Sequence, residues 1–252
     1  MNIKMHIEYI GTEFCGWQKQ AKNKTVQNEI EKKLELIYKT KIILLGSGRT
    51  DSGVHGLNQV ANFHISNIAN FNPIALKNKL NSLLENNIRI NHCIKVDDNF
   101  HAQHSCKKKT YLYKIKIMEE CNVFEIDRFL YIKKDLNIKK LWELAKLFIG
   151  EHNFINFCKT GYSGKDTIRK IYSFTVTKRK NFIELKITGN GFLRGMVRLI
   201  IGALINYEKN LISKNEVIRA IKNKSKLKIN LSAPACGLYL YDVKYWYDYN
   251  NI

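Results

Sequence analysis

The sequence predicts an α+β fold whose first half is ferredoxin-like. Three observations predict it. Between Ile3 and Val96 the hydrophobic pattern runs strand, helix, strand, strand, helix, strand. Beyond Thr110 the helix-then-strand theme returns, without a sequence repeat. No Pro-, Gly- or Ser-rich linker separates the two parts, so they can share a continuous sheet. The expected boundary lies near residue 105, dividing the chain into 1–105 and 106–252.

In order, Ile3, Met5, Ile7 and Tyr9 alternate with Lys4, His6 and Glu8, the pattern of a half-buried strand. Gly11 to Gln20 is a loop. Its Phe14 and Trp17 either stack on bases or close over the core as lids. Thr25 is placed to cap a helix with Val26, Ile30, Leu34 and Ile37 on one face. Lys41 to Leu45 reads as a short strand and Gln59 to Ile65 as another. Between them lies G-S-G-R-T-D-S-G-V-H-G, too rich in glycine for helix or regular strand. Arg49 and Asp51 therefore sit on a tight loop held by two strands. Such a loop is either a carrier of catalytic groups or a polar hairpin whose Asp bonds its own backbone.

Asn72-Pro73 starts the next helix, with proline at its first position, and Ile88 to Val96 is a strand. Lys107-Lys108-Lys109 leads into a strand, Thr110 to Ile117, with Tyr111, Tyr113 and Ile115 on one face. A lysine cluster beside tyrosines suits RNA, and it equally suits a solvated edge strand with a tyrosine core face. A helix follows over Ile138 to Phe148, with Gly150 able to cap its end. Ile168 to Lys178 and Phe182 to Thr188 form a hairpin. Gly189-Asn190-Gly191 then opens an apolar helix in which Phe192, Met196, Leu199, Ile200 and Ala203 face inward and Arg194 and Arg198 share a face. An arginine inside a buried helix requires an anionic partner. Ser213 to Glu216 is a capping box, and Leu238 to Trp246 is the last strand.

The 252 residues carry 42 Lys+Arg against 22 Asp+Glu, a formal charge of +20, which points to a polyanionic partner, nucleic acid first. Lysine abundance in a chain crowded with Lys, Asn and Ile also fits compositional drift. The scarcer arginines, Arg49 and Arg198 among them, are better candidates for specific contacts. No apolar run is long enough to span a membrane, and Met1 to Ile10 lacks a signal-peptide pattern, so a soluble cytoplasmic protein is expected. Cys15, Cys93, Cys106, Cys121, Cys158 and Cys236 form no C-x-x-C pair, which suits reduced and mostly buried thiols. His101-x-x-His104 has ligand-like spacing but no second pair nearby, so no metal and no cofactor is expected.

The stretch G-R-T-D-S-G-V-H closely resembles the catalytic motif of the TruA family of tRNA pseudouridine synthases. Four further stretches resemble that family's signatures, in its order and across nearly the whole chain. They are Y-I-G-T-E-F-C-G-W-Q-K-Q from Tyr9, F-H-A-Q-H-S-C-K-K-K-T-Y-L-Y from Phe100, F-L-R-G-M-V-R from Phe192 and A-C-G-L-Y-L from Ala235. The resemblance implies the pseudouridine synthase fold, with two ferredoxin/RRM-like halves of antiparallel sheet joined around a central basic cleft. It implies isomerisation of uridine to pseudouridine at positions 38 to 40 of the tRNA anticodon stem-loop. Asp51 would be the nucleophile, Arg198 its ion-pair partner and Tyr111 the ring stacked on the uracil. Leu238 would be an apolar contact beside that ring, and Arg49 would help position the RNA. The first half would thus carry the catalytic loop and the second the stacking Tyr and partner Arg. The family also implies a homodimer, with tRNA as substrate and partner. Three positions depart from the pattern: Ile10 where an acidic residue is usual, Gln103 where Arg is common, and Gly195 where His is frequent. They leave room for a second reading, a non-catalytic RNA-binding or tRNA-folding protein on the same fold. Retention of Asp51, Tyr111 and Arg198 favours the enzyme.

Overall fold

The computed structural model describes residues 1–66, 69–118, 122–161, 164, 166–227 and 232–246. Its elements in order are β1 (Asn2–Tyr9), α1 (Val26–Tyr38), β2 (Leu45–Gly46), β3 (His55–His64), α2 (Pro73–Leu83), β4 (Ile88–Val96), β5 (Cys106–Ile117), β6 (Leu130–Ile132), α3 (Ile138–Ala145), β7 (Gly150–Asn153), β8 (Ile168–Arg179), β9 (Phe182–Gly189), α4 (Met196–Glu208), α5 (Lys214–Ile221) and β10 (Leu238–Tyr245). They make two compact units. One is Met1–Lys107 with Tyr239–Ile252, and the other is Lys108–Leu238.

In the first unit the strand order is β4-β1-β3-β10, with β2 paired to β3. β1 is antiparallel to β3 and β4, and β10 is parallel to β3 through Tyr239↔His55. The alternation of β1 explains its place: Ile3, Met5 and Ile7 are fully buried on the face that packs against Val26, Ile30 and Leu34 of α1 and Leu76 and Leu80 of α2. Each such side chain contributes about 1.5–3 kcal/mol through burial. Local chemistry sets the helix starts. The Thr25 hydroxyl accepts from Asn28 N, and the Asn72 side chain accepts from Ile74 N and Ala75 N at 3.0 Å with Pro73 following.

In the second unit the order is β5-β9-β8-β7, all antiparallel, with β6 parallel to β5. α4 is its most apolar helix, with Ile200, Ile201, Ala203 and Leu204 fully buried, and it packs on α3. α5 begins at the expected capping box, Ser213 with Glu216.

Several expectations need correction. The strand expected over Lys41–Leu45 shrinks to Leu45–Gly46, because α1 side chains take up the backbone of Leu44. Glu31 Oε1 accepts from Leu44 N at 3.0 Å and Gln27 Nε2 donates to Leu44 O at 3.1 Å. The apolar helix starts at Met196, after Gly195 turns into the left-handed region at φ 69°. Arg194 precedes that helix, so it forms no helical pair with Arg198, and Phe192 and Leu199 are only half-buried. The helix after Ile138 ends at Ala145 and continues as a 3-10 turn. Gly150 has φ +110° but opens β7 instead of capping the helix. β5 lies between β9 and β6 and is no edge strand. Of the described cysteines, only Cys93 is buried, its thiol pushed up to about 12 by burial, while Cys15 is exposed. Cys121 lies outside the described residues.

Candidate active site

The loop bearing Asp51 runs from Ser47 to Val54, between β2 and β3. Arg49 is exposed and Asp51 half-buried at its outer side. The inner side is clamped by the N-terminal segment. Phe14 and Trp17 are 2% and 1% exposed, which decides between their two readings: they are core, and no base can reach them. Each ring of this size buries about 150–250 Å², worth roughly 4–6 kcal/mol. The backbone around them reaches across to the loop. Trp17 N donates to Thr50 O at 3.2 Å, Gly53 N to Phe14 O at 3.3 Å and Ser52 Oγ to Phe14 O at 3.2 Å.

Two glycines are required for this approach. A Cβ on Gly11 would lie 2.0 Å from Val54 O. Gly16, at φ +87°, would place one 2.4 Å from Thr50 O and 3.1 Å from the Asp51 carbonyl carbon.

Beneath the loop lies a buried polar network. Tyr9 Oη and Thr50 Oγ1 are 2.9 Å apart. Ser47 Oγ donates to Gln59 Oε1 at 2.7 Å, and Gln59 Nε2 donates to Gly48 O at 2.9 Å. Burial, offset in part by bonds to Thr50 and Gln59, raises the Tyr9 phenol well above its usual 10.0, so the hydroxyl stays protonated. His55, the last polar residue of the motif, lies inside β3. Its Nδ1 accepts from Gly11 N at 3.0 Å, which puts the ring proton on Nε2, and its ring stacks on Tyr239 at 4.7 Å. Thr50, His55 and Gln59 stand in or beside the recognised stretch. Their spacing announced no structural role, because their partners lie far away in sequence.

The other candidates lie in the second unit. Arg198 is half-buried near the start of α4. Its Nε donates to Ala233 O at 2.7 Å, and its own carbonyl accepts from Ala233 N at 3.0 Å. Residues 233–238 are thereby tied to α4, and the same turn packs tightly on β5. Tyr113 Oη donates to Pro234 O at 2.9 Å, and a Cβ on Gly237 would meet both the Tyr113 ring and Lys114 O at 2.8 Å. Leu238, 4% exposed, begins β10 directly after this turn. Tyr113 is pure core, its hydroxyl raised by burial. Tyr111 keeps 7% of its surface and packs edge-on against Phe192, with ring centroids 5.2 Å apart. One turn therefore joins Arg198 and Leu238 within this unit. Among the described residues, no group of three His, Cys, Asp or Glu is arranged to hold a metal, and no helix is long and apolar enough to cross a membrane.

A family model described as tRNA pseudouridine synthase matches residues 5–105 and 144–246. "tRNA pseudouridine synthase A 2" of Bacillus cereus is 38% identical over 245 residues, covering 97% of this chain and 99% of the relative. "tRNA pseudouridine synthase A" of Malacoplasma penetrans is 40% identical over 248 residues, covering 97% and 100%. A solved chain titled "Crystal Structure of a Cbf5-Nop10-Gar1 Complex" is similar at 12% identity and a TM-score of 0.34, covering 79% of this chain and 44% of that one, a likeness too slight to bear on the reaction. A basic α+β chain with a loop-borne carboxylate and these matches is, as a class, a tRNA-modifying isomerase. Within that class the chain belongs to the TruA family of tRNA pseudouridine synthases, and its fold is the pseudouridine synthase fold.

Proposed function

We propose that this chain converts uridine to pseudouridine at positions 38 to 40 of the tRNA anticodon stem-loop, with Asp51 as the nucleophile. The observation that carries the assignment is the setting of Asp51: a half-buried carboxylate on a loop whose inner face is clamped by buried hydrogen bonds and two glycine contacts. A carboxylate so held loses little freedom on reaching its target. In the reaction the C1′–N1 bond breaks, the base turns, and C1′ joins C5. A proton leaves C5 and N1 takes one up, so atoms and electrons balance without a redox partner.

The remaining roles follow the matching motif positions. Arg198 is the ion-pair partner of Asp51. Tyr111 stacks on the extruded uracil, returning on the order of 1–3 kcal/mol towards the cost of unstacking it. Leu238 closes the apolar side of that ring, and Arg49, exposed on the loop, positions the RNA. The working form is a homodimer acting on tRNA in the cytoplasm.

Asp51→Asn is expected to abolish pseudouridine formation while tRNA binding survives, read by pseudouridine mapping of tRNA and by filter binding. Normal turnover in that variant would remove Asp51 as nucleophile. Arg198→Lys keeps the charge but loses the planar fork, so it is expected to lower turnover. Full activity there would exclude a bidentate pair.

A further inference from the structure

The turn leading into α4 gathers cations over glycines. Arg194 is exposed. Its Nη1 donates to Thr160 O at 3.3 Å, and its carbonyl accepts from Lys159 N at 2.9 Å. A Cβ on Gly195 would lie 2.7 Å from both Cγ and Cδ of Lys159, so the lysine stem occupies the space a side chain at 195 would take. A Cβ on Gly161 would lie 3.2 Å from Arg194 Nη1. Across the Gly189–Gly191 turn stands Arg169, whose Nε is 3.6 Å from where a Gly191 Cβ would be. Two hydrogen bonds tie the turn to the strand that carries Arg169: Asn190 N donates to Lys170 O at 3.0 Å, and Lys170 N donates to Asn190 Oδ1 at 2.9 Å. One carboxylate, Asp166, pairs with Arg169 at 3.3 Å.

We propose that Lys159, Arg169 and Arg194 form a phosphate-binding surface for the backbone of the RNA substrate. The inference rests on the tRNA reading above and adds a location to it. Among the described residues, three cations stand with the Asp166 carboxylate at this turn, which favours a positive field. Glycines at 161 and 195 make the room that the Arg194 guanidinium and the Lys159 stem occupy, so the backbone seats these two cations at the turn. Two guanidiniums supply planar forks matched to phosphate oxygens. The cations are spread over two loops and a strand end instead of converging in an enclosed pocket, which suits a polyanion better than a single phosphate ion.

The test is the salt dependence of tRNA affinity between about 50 and 200 mM salt. It compares wild type, Lys159→Gln, Arg194→Gln, the double variant, and a control double variant, Lys139→Gln with Lys180→Gln, at exposed positions on α3 and the β8–β9 turn. The slope of log affinity against log salt is expected to become shallower by about one for each cation removed from the patch. The control should keep the wild-type slope, and Arg194→Lys should regain it. Inorganic phosphate, added at constant ionic strength, should not displace tRNA. An unchanged slope in the double variant, or an equal change in the control, overturns the proposal. Displacement of tRNA by inorganic phosphate would overturn the backbone assignment in favour of a free-phosphate site. Failure of the wild type to bind and convert tRNA would instead strike the enzyme reading itself. Thermal melting of each variant separates these outcomes from misfolding.

Discussion

Removing the Tyr9 hydroxyl tests whether the network beneath Asp51 positions the loop. Tyr9→Phe keeps the ring, which is 4% exposed and packed near Trp17, and deletes the bond to Thr50. A buried neutral hydrogen bond contributes about 0.5–1.5 kcal/mol net, and a stranded partner adds about 1–3 kcal/mol. Here Thr50 is 8% exposed, so its stranded hydroxyl is only partly cut off from water, and the expected cost is about 1–2 kcal/mol. Thr50→Val removes the other partner. Tyr9 then keeps its bond to Gln59, so that loss should be the smaller one. The two substitutions share one bond, and a double-mutant cycle in urea should return a coupling of about 1 kcal/mol. If half or more of that reaches the transition state through the position of Asp51, turnover falls about two- to fivefold. Release of the C5 proton from labelled uridine in tRNA follows the chemical step, and tRNA affinity should not change. Additive stabilities with no coupling would refute the pair as a unit. Wild-type turnover in Tyr9→Phe, measured where the variant is folded, would refute positioning even if stability fell.

Two other perturbations act on the same unit. Gly11→Ala sets a methyl 2.0 Å from Val54 O, a backbone atom that cannot swing aside, so denaturant melts should show a loss of about 3 kcal/mol or more. An alanine variant of wild-type stability would mean the clamp is not tight. His101 accepts N–H bonds at Nδ1 from Gln103 and His104, and burial together with the nearby His104 ring lowers its pKa below 6.5. A depressed pKa gives stability that is present above 6.5 and lost as pH falls through the folded-state value. His101→Asn keeps an acceptor for those N–H groups but cannot titrate. The denaturant midpoint of the variant should therefore fall less than that of wild type below pH 6.5, and parallel profiles would contradict the assignment.

The parts of the fold legible in the sequence are those encoded locally. The apolar face of β1, the Thr25 and Asn72 caps and the Ser213 box appear where expected, because each depends on neighbours within four residues. The other face of β1 is not the solvated one the alternation suggested: Lys4 is 6% exposed, with its ammonium over the Phe100 and Tyr245 rings. The errors, and the alternatives that the sequence left open, share the opposite cause. Whether Lys41–Leu45 pairs as a strand depended on Gln27 and Glu31, a helix away. Whether Phe14 and Trp17 are lids or stacking platforms depended on how closely Thr50 and Gly46 approach them. The start of α4 was misplaced because Phe192 and Leu193 extend the apolar pattern upstream of a left-handed glycine, and periodicity does not register a change of backbone sign. In the site, Asp51 stood out through its glycine-rich loop. Tyr9 did not, being one of four alternating apolar residues in β1, and only its hydroxyl at 2.9 Å from Thr50 separates it from Ile7.

The same distinction bears on the three departures from the family pattern. Ile10 lies between Tyr9 and Gly11, yet the bond that fixes it is made by its backbone: Ile10 N donates to Asn87 O at 2.9 Å, a contact indifferent to the side chain. Gln103 is exposed and donates from its backbone to His101. Gly195 caps α4 through its left-handed backbone, and the space above it is taken by Lys159. None of the three contributes a side chain to the contacts that clamp Asp51. Gln103 is exposed and Gly195 half-buried, so a changed side chain at either position reaches the surface. On the proposed reading, divergence at these positions bears on how substrate is held and leaves the Asp51 loop intact. Restoring histidine by Gly195→His should consequently displace the Lys159 stem and change the salt slope of tRNA binding more than turnover at saturation, and the reverse pattern would place position 195 in the chemistry.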